Sequence, residues 1–307
     1  MSLPGVTQLR SLKTKLGRRL YPLATTSRSL LQAHRVRLWT ESHRLELAHA
    51  LWRRYSAVAQ DNSVREQYRH NEAQVFSQNG EDGLILYILS QIGATNRTIV
   101  EYGAGGKTSN ALNLVLNFGW KGILIDGSED ELVTLRRRVN LSGADLNLIT
   151  SWITAESINE VLRSSGVPSD VDVMSIDLDG NDYWIWKAIE TTAPRLMIVE
   201  YNASLGPHVR RTVPYEPSFV SRDYHHLGWY HGASLEALVS LAAQKGYRLV
   251  CCDSAGVNAF FVRNDLGREQ LPETTAPRAF YPHAGRLKSA DLEAQMREIS
   301  GHPWLEV

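Results

Sequence analysis

From Thr98 to Arg263 the chain alternates short apolar runs with stretches of helical spacing, and this alternation restricts its fold more than any other feature of its 307 residues. Apolar runs of strand length lie at about 98–102, 122–126, 146–150, 171–177, 195–201, 247–252 and 257–263. Helical spacing falls between them, near 109–118, 129–140, 155–165, 182–190 and 234–245. Strands that alternate with helices form a mostly parallel sheet joined by right-handed crossovers. The last two runs are separated only by about Asp253 to Gly256, too short a link for a helical crossover, so they pair as an antiparallel hairpin. The expected fold is α/β, an open sheet of seven strands with its last strand antiparallel.

The run Val171-Asp-Val-Met-Ser-Ile-Asp-Leu-Asp-Gly-Asn181 has the composition of a strand buried on both faces, and it ends in carboxylates, a glycine and an amide. Ligands of open α/β sheets bind at the carboxyl ends of the strands, which makes Asp177, Asp179 and Asn181 the first candidates for chemistry. Asn202 follows the next strand, and with Asp177 and Asp179 it offers hard oxygen ligands suited to Mg²⁺ or another divalent cation. The competing reading is a turn and helix cap, with Asn181 or Asp182 as the capping residue. Glu200 points the same way as Asn202 and opposite to Tyr201, so only one of these sets lines a cleft.

The first strand runs into Glu101-Tyr-Gly-Ala-Gly-Gly-Lys-Thr-Ser-Asn110. Glycines here admit close approach of a bound molecule, and the following helix offers free amide donors. A dinucleotide fingerprint would need glycine where Thr108 stands, which weakens a nicotinamide oxidoreductase reading. Asp126 closes the second strand, where a carboxylate can hold a ribose diol. Upstream, Val75-Phe-Ser-Gln-Asn-Gly-Glu-Asp-Gly83 is a turn followed by a helix start near Glu81 or Asp82, whose carboxylates complement the helix dipole or face a ligand.

An acidic residue before a glycine loop, another after the second strand and a final antiparallel strand together resemble the class I S-adenosylmethionine-dependent methyltransferases. Within them, residues 77–83, the Glu101 loop, Ser175-Ile-Asp-Leu-Asp-Gly-Asn-Asp-Tyr-Trp-Ile-Trp-Lys187 and Pro194-Arg-Leu-Met-Ile-Val-Glu-Tyr-Asn202 resemble the FkbM-type branch, across about 72–263. The resemblance implies a Rossmann-like seven-stranded methyltransferase sheet and methyl transfer to oxygen of a sugar or other small hydroxylated metabolite. It implies that Glu101, Gly103 and Gly105 meet the amino-acid part of S-adenosylmethionine, with Asn110 and Gly127 also among its contacts. Asp126 would meet its ribose and Ser151 and Trp152 its adenine, with Gln78 and Glu81 closing the pocket. Asp177 would meet the methionine part, a metal or the acceptor. The alternative is a methyltransferase-fold protein that binds without turnover.

After the fifth strand, residues 203–233 lack periodicity yet hold Tyr215, Phe219, Tyr224, His225, His226, Trp229, Tyr230 and His231, with Arg210 and Arg211. So long a loop is a lid or binding loop, expected to roof a saccharide or other small-molecule acceptor, with His226 or His231 as a base beside Asp177. Beyond Asn264 the sequence reads as a polar tail with one helix, about 289–299, and no chemistry. The 71–264 domain is preceded by a basic extension, residues 1–70. That head carries a formal charge of +9 and the remainder −9. Helices expected over about 6–20 and 44–59 within it serve as a peripheral membrane contact or a packing surface on the body or a second subunit; no nucleic-acid partner is expected. Adjacent Cys251 and Cys252 point to opposite faces of a strand and suit a reducing compartment, so a cytoplasmic, alternatively membrane-peripheral, location is expected.

Overall fold

Near-continuous apolar runs bury both faces of a strand, and the computed structural model places them as such at the centre of one sheet. It describes residues 44, 46–50, 68–138, 141 and 143–307. The described residues fall into two units, divided between His49 and Ala50. In the first, the described residues 44 and 46–49 are helical. The helix expected over 6–20 and most of that over 44–59 lie outside the described residues.

In the second unit the strands are β1 (Thr98–Tyr102), β2 (Lys121–Asp126), β3 (Leu146–Thr150), β4 (Val173–Ile176), β5 (Leu196–Glu200), β6 (Arg211–Thr212), β7 (Tyr247–Cys252), β8 (Asn258–Arg263) and β9 (Leu305–Glu306). Seven of them form one sheet in the order β3-β2-β1-β4-β5-β8-β7. Neighbours from β3 to β5 are parallel, and β8 runs antiparallel to both β5 and β7. This is the class I methyltransferase, Rossmann-like topology, with the hairpin that the short Asp253–Gly256 link requires.

Alternation along the strands divides the core. Val100, Tyr102, Met174, Ile176, Met197 and Val199 face one side. There they meet α4 (Ile158–Ser164), α5 (Asp182–Ala188) and α7 (Leu235–Gln244). Ile99, Leu124, Val173, Leu196 and Ile198 face the other, under α1 (Glu81–Ile92), α2 (Leu112–Phe118) and α3 (Glu129–Arg138). Three further helices are α6 (Ser221–Tyr224), α8 (Ala276–Ala279) and α9 (Leu292–Ile299).

The start of α1 is fixed by Asp82 rather than by exposed dipole compensation. One oxygen of its buried carboxylate accepts from the backbone N–H groups of Val75, Phe76 and Ser77 at 2.8, 2.6 and 2.7 Å, and Ser77 Oγ accepts from Asp82 N–H at 3.0 Å. Burial pushes Asp82 up to about 6 against these donors. The tail is not a loose appendage. Arg248, buried in β7, donates to the carbonyls of Leu271, Arg263 and Leu266 at 3.0, 2.9 and 2.6 Å. Further on, β9 pairs with β6 inside the 203–233 segment. Among the described residues no helix is long and apolar enough to cross a membrane.

Asp82→Ala should strand three amide donors and lower the unfolding free energy by about 3 kcal/mol. Urea denaturation followed by circular dichroism reads this directly, and a loss below about 0.5 kcal/mol would show that the 75–77 loop is held by other contacts.

Candidate active site

The carboxyl edge of the sheet opens into a cavity of about 1060 Å³. Its wall begins where β1 ends. Gly103 sits at φ +73°, and a Cβ there would lie 1.7 Å from the Asp177 carbonyl oxygen, so the loop after β1 rests directly on the end of β4. Gly105 has open space where its Cβ would be and lines the cavity, a cradle into which a ligand can press against backbone. Glu101 is turned to its own chain: its oxygens accept from Ser109 Oγ, from Asn110 N–H at 2.7 Å and from Ala111 N–H at 3.1 Å, ahead of α2. Burial raises it to about 7, which those donors only partly offset. Asn110 lines the cavity and donates to Ser175 Oγ at 3.0 Å, tying the loop to β4.

At the end of β2, Asp126 accepts from Ser128 N–H at 2.7 Å with one oxygen and faces the cavity. Partial burial raises its pKa. The Trp152 indole lies over Gly127, whose Cβ would meet Trp152 Cε3 at 2.8 Å, and Ser151 lines the wall beside it. Trp152 Nε1 donates to the Pro217 carbonyl at 2.7 Å, so the same indole links β3's end to the roof.

Between β4 and α5 the chain turns through Asp179 at φ +52°. Asp182 holds the turn, accepting from Leu178 N–H at 2.8 Å and Gly180 N–H at 3.1 Å. Asn181 precedes α5 without a side-chain cap bond and reaches up to the Glu216 carbonyl at 2.8 Å, while its buried Oδ1 has no partner. Asp177 and Asp179 are left facing the cavity, where Glu200 joins them from the end of β5. Oxygens of Asp177, Asp182 and Glu200 lie within 4.8 Å of one another. Burial first, then repulsion from neighbouring carboxylates, raises Asp177 and Glu200 well above the usual carboxylate range.

Part of the 203–233 segment lies over the cavity as its roof. Phe219, Val220, Ser221, Arg222, Leu227 and Trp229 reach the cavity. Tyr224 and Tyr230 belong to a small core beside it: Tyr224 stacks on Phe219 at 4.8 Å, and Tyr230 lies against His302 and Trp304 of the tail. Arg210 and Arg211 are spent on Val307 and Glu306, at 2.9 and 2.6 Å.

Four sequence expectations are corrected. Glu81 lies outside the cavity wall, accepting from Asn79 N–H at 2.6 Å and Asn258 Nδ2 at 2.9 Å; of the two expected pocket closers Gln78 alone lines the cavity, with Asn258 beside it. Asn202 is fully buried, donating to the carbonyls of Trp229 and His231 at 2.8 and 2.9 Å and accepting from Ser204 N–H and Arg286 Nη1, both at 3.0 Å. It holds the roof and faces a guanidinium, so the set Asp177, Asp179 and Asn202 does not fit a divalent cation. His226 is exposed, beside His225 and away from the cavity wall. His231 is buried with Nε2 2.7 Å from Arg286 Nη2 and Nδ1 3.4 Å from Glu200 Oε2. Burial first, then Arg286, pushes it down to about 4. Because Nε2 accepts from Arg286, the neutral ring carries its proton on Nδ1, toward Glu200, and has no lone pair left for an acceptor. The same protonation removes His231 as a ligand in the grouping Asp179, Glu200, His231, and Asp182 already serves backbone donors in the grouping Asp177, Asp182, Glu200; a third grouping, His225, His226 and Glu298, lies away from the cavity wall.

The tail supplies what sequence reasoning missed. His283, Gly285, Arg286 and Ser289 line the acidic end of the cavity. Arg286 also donates to Ser204 Oγ at 2.8 Å and stands beside Glu200 and Asp179. A lone arginine in a stretch without periodicity carries no signal of its place; the acid surplus at Asp177, Asp179 and Glu200 was the one hint that a cation belonged nearby.

No protein-family model matches the chain, and no curated protein matches it. Among solved structures the chain is similar to an O-methyltransferase from Bacillus cereus in complex with SAH, at 16% identity over 71% of this chain and 89% of that chain, TM-score 0.38. It is also similar to the O-methyltransferase TomG from Streptomyces achromogenes in complex with SAM, at 14% identity over 68% and 93%, TM-score 0.37. At such identities and TM-scores these likenesses carry no argument about activity or substrate.

Asp177 and Glu200 titrate above their ordinary range, so their contribution to stability is full below about pH 4 and is lost as pH rises through the shifted values. Glu200→Gln should therefore gain in Tm relative to the native chain as pH rises above about 4, by scanning calorimetry. A gap between the two that stays constant with pH would contradict the buried-acid description.

Proposed function

We propose that the protein is an S-adenosylmethionine-dependent methyltransferase acting on oxygen of a sugar or other small hydroxylated acceptor. The observation that carries this reading is the convergence of Gly103, Gly105, Asp126, Trp152 and Asp177, from four successive strand ends, on one cavity at the carboxyl edge of the sheet. The motifs that resemble the FkbM-type branch fall on this same edge and on the turn after β4.

The residues fit the cofactor. Gly105 leaves backbone open, Asp126 offers a carboxylate to a diol, and Trp152 offers an aromatic face. When bound, S-adenosylmethionine supplies an electrophilic methyl group on a sulfonium. The chain's own residues then orient and exclude water: the roof covers the cavity, and alignment of acceptor and methyl is worth up to about 7–11 kcal/mol in favourable cases. The acidic end, Asp177, Asp179 and Glu200, suits hydroxyl donors and repels phosphate, so a nucleic-acid acceptor is disfavoured. At about 1060 Å³ the cavity is large enough for a cofactor together with a small acceptor.

Gly105→Leu should fill the cradle and abolish binding of S-adenosylhomocysteine with the fold intact, and Asp126→Ala should weaken binding about 10- to 100-fold by calorimetry. Unchanged affinity in both variants, or saturable binding of NAD in place of S-adenosylhomocysteine, would overturn the assignment.

A further inference from the structure

Glu200 and Asp177 form a pair whose charge is not closed within the chain. Glu200 is more than nine-tenths buried, and its Oε2 has no hydrogen-bond partner although His231 Nδ1 stands 3.4 Å away. Arg286 stands beside it as a cation and donates to Asn202, Ser204 and His231 rather than to this oxygen. The other groups facing the pair add acid: Glu101 from β1, and Asp179 and Asp182 from the turn. Glu101 and Asp182 satisfy backbone and hydroxyl donors of their own loops, and His231 and His283 are both held neutral by burial. Glu200 is buried and Asp177 half-buried, and with one guanidinium beside them two carboxylates within 4.8 Å do not both ionise without a further positive charge. Arg286 and the His231 N–H both lie on the Glu200 side, which leaves the shared proton to Asp177, the member that touches the Gly103 loop.

Resting on the methyltransferase reading, we infer that Asp177 and Glu200 hold one shared proton, release it when a sulfonium enters the cavity, and recover a proton from the acceptor hydroxyl, so that the pair becomes a base only with a methyl donor in place. The step balances. The acceptor oxygen bonds the methyl carbon, the carbon–sulfur bond breaks with its electron pair left on sulfur, and the hydroxyl proton passes to the pair. Positive charge lost at sulfur is matched by the proton gained at the carboxylates. Asp177 and Glu200 are thus the catalytic residues of the transfer, and Arg286 and His231 position Glu200.

The test needs no acceptor. S-adenosylmethionine and S-adenosylhomocysteine are titrated into the full chain in buffers of different ionisation enthalpy, which counts protons released on binding. The sulfonium ligand should release about one more proton than the thioether near pH 7, and its affinity advantage should rise by up to about tenfold per pH unit through the titration. In Glu200→Gln and Asp177→Asn both differences should collapse while both ligands still bind. Equal proton counts for the two ligands in the native chain would overturn the inference and leave the cofactor assignment standing. A difference that survives in a folded variant would also overturn it. Absence of binding by either ligand would overturn both, and the native-chain comparison decides the matter even if a variant fails to fold.

Discussion

No side chain fits at position 103, because the end of β4 already occupies that space: the Asp177 carbonyl lies 1.7 Å from where a Cβ would be. The ladder continues through this contact, with Gly103 N–H donating to Ile125 at 3.0 Å and Asp177 N–H to Tyr102 at 3.2 Å. One steric constraint thereby brings three strand ends to a common edge. It sets the glycine loop, the Asp126 turn and the first carboxylate of the acid pair against one another before any ligand is considered.

The roof depends on the same edge. Gly180 follows Asp179 in the turn, and a Cβ there would meet Phe219 at 2.2 Å, so the roof rests on the turn that Asp182 holds shut. Asn181, Trp152 and Trp184 each reach up to a roof carbonyl, at 2.8, 2.7 and 2.9 Å. From below, Asn202 fastens residues 229 and 231, and from the side β9 pairs with β6. Polar side chains satisfied this way make the 203–233 segment part of the fold, consistent with the high cost of leaving buried donors and acceptors unpaired.

Strand positions, helix positions and the antiparallel hairpin were legible in the sequence because hydrophobic period and link length determine them. The cavity edge was legible as well, since Asp126 and Asp177 close apolar runs and the glycines stand between them. What was not legible is where a polar side chain spends its hydrogen bonds. Asn202 and Asp177 look alike as strand-end ligands, yet one is consumed by backbone carbonyls and Arg286 while the other faces the cavity. His231 has a base's chemistry, but its free lone pair is taken by an arginine 55 positions further along the chain. Arg286 and His283 gave no local pattern, and their place follows only from tertiary docking of the tail.

If the strand ends of β1 to β4 form a cofactor cleft that ends at the Asp177–Glu200 acid pair, a crystal structure with S-adenosylhomocysteine bound will show it. The ribose should sit on Asp126, the adenine beside Trp152, and the sulfur should turn toward Asp177 and Glu200. A ligand bound elsewhere, or one whose sulfur points away from that pair, would contradict this arrangement.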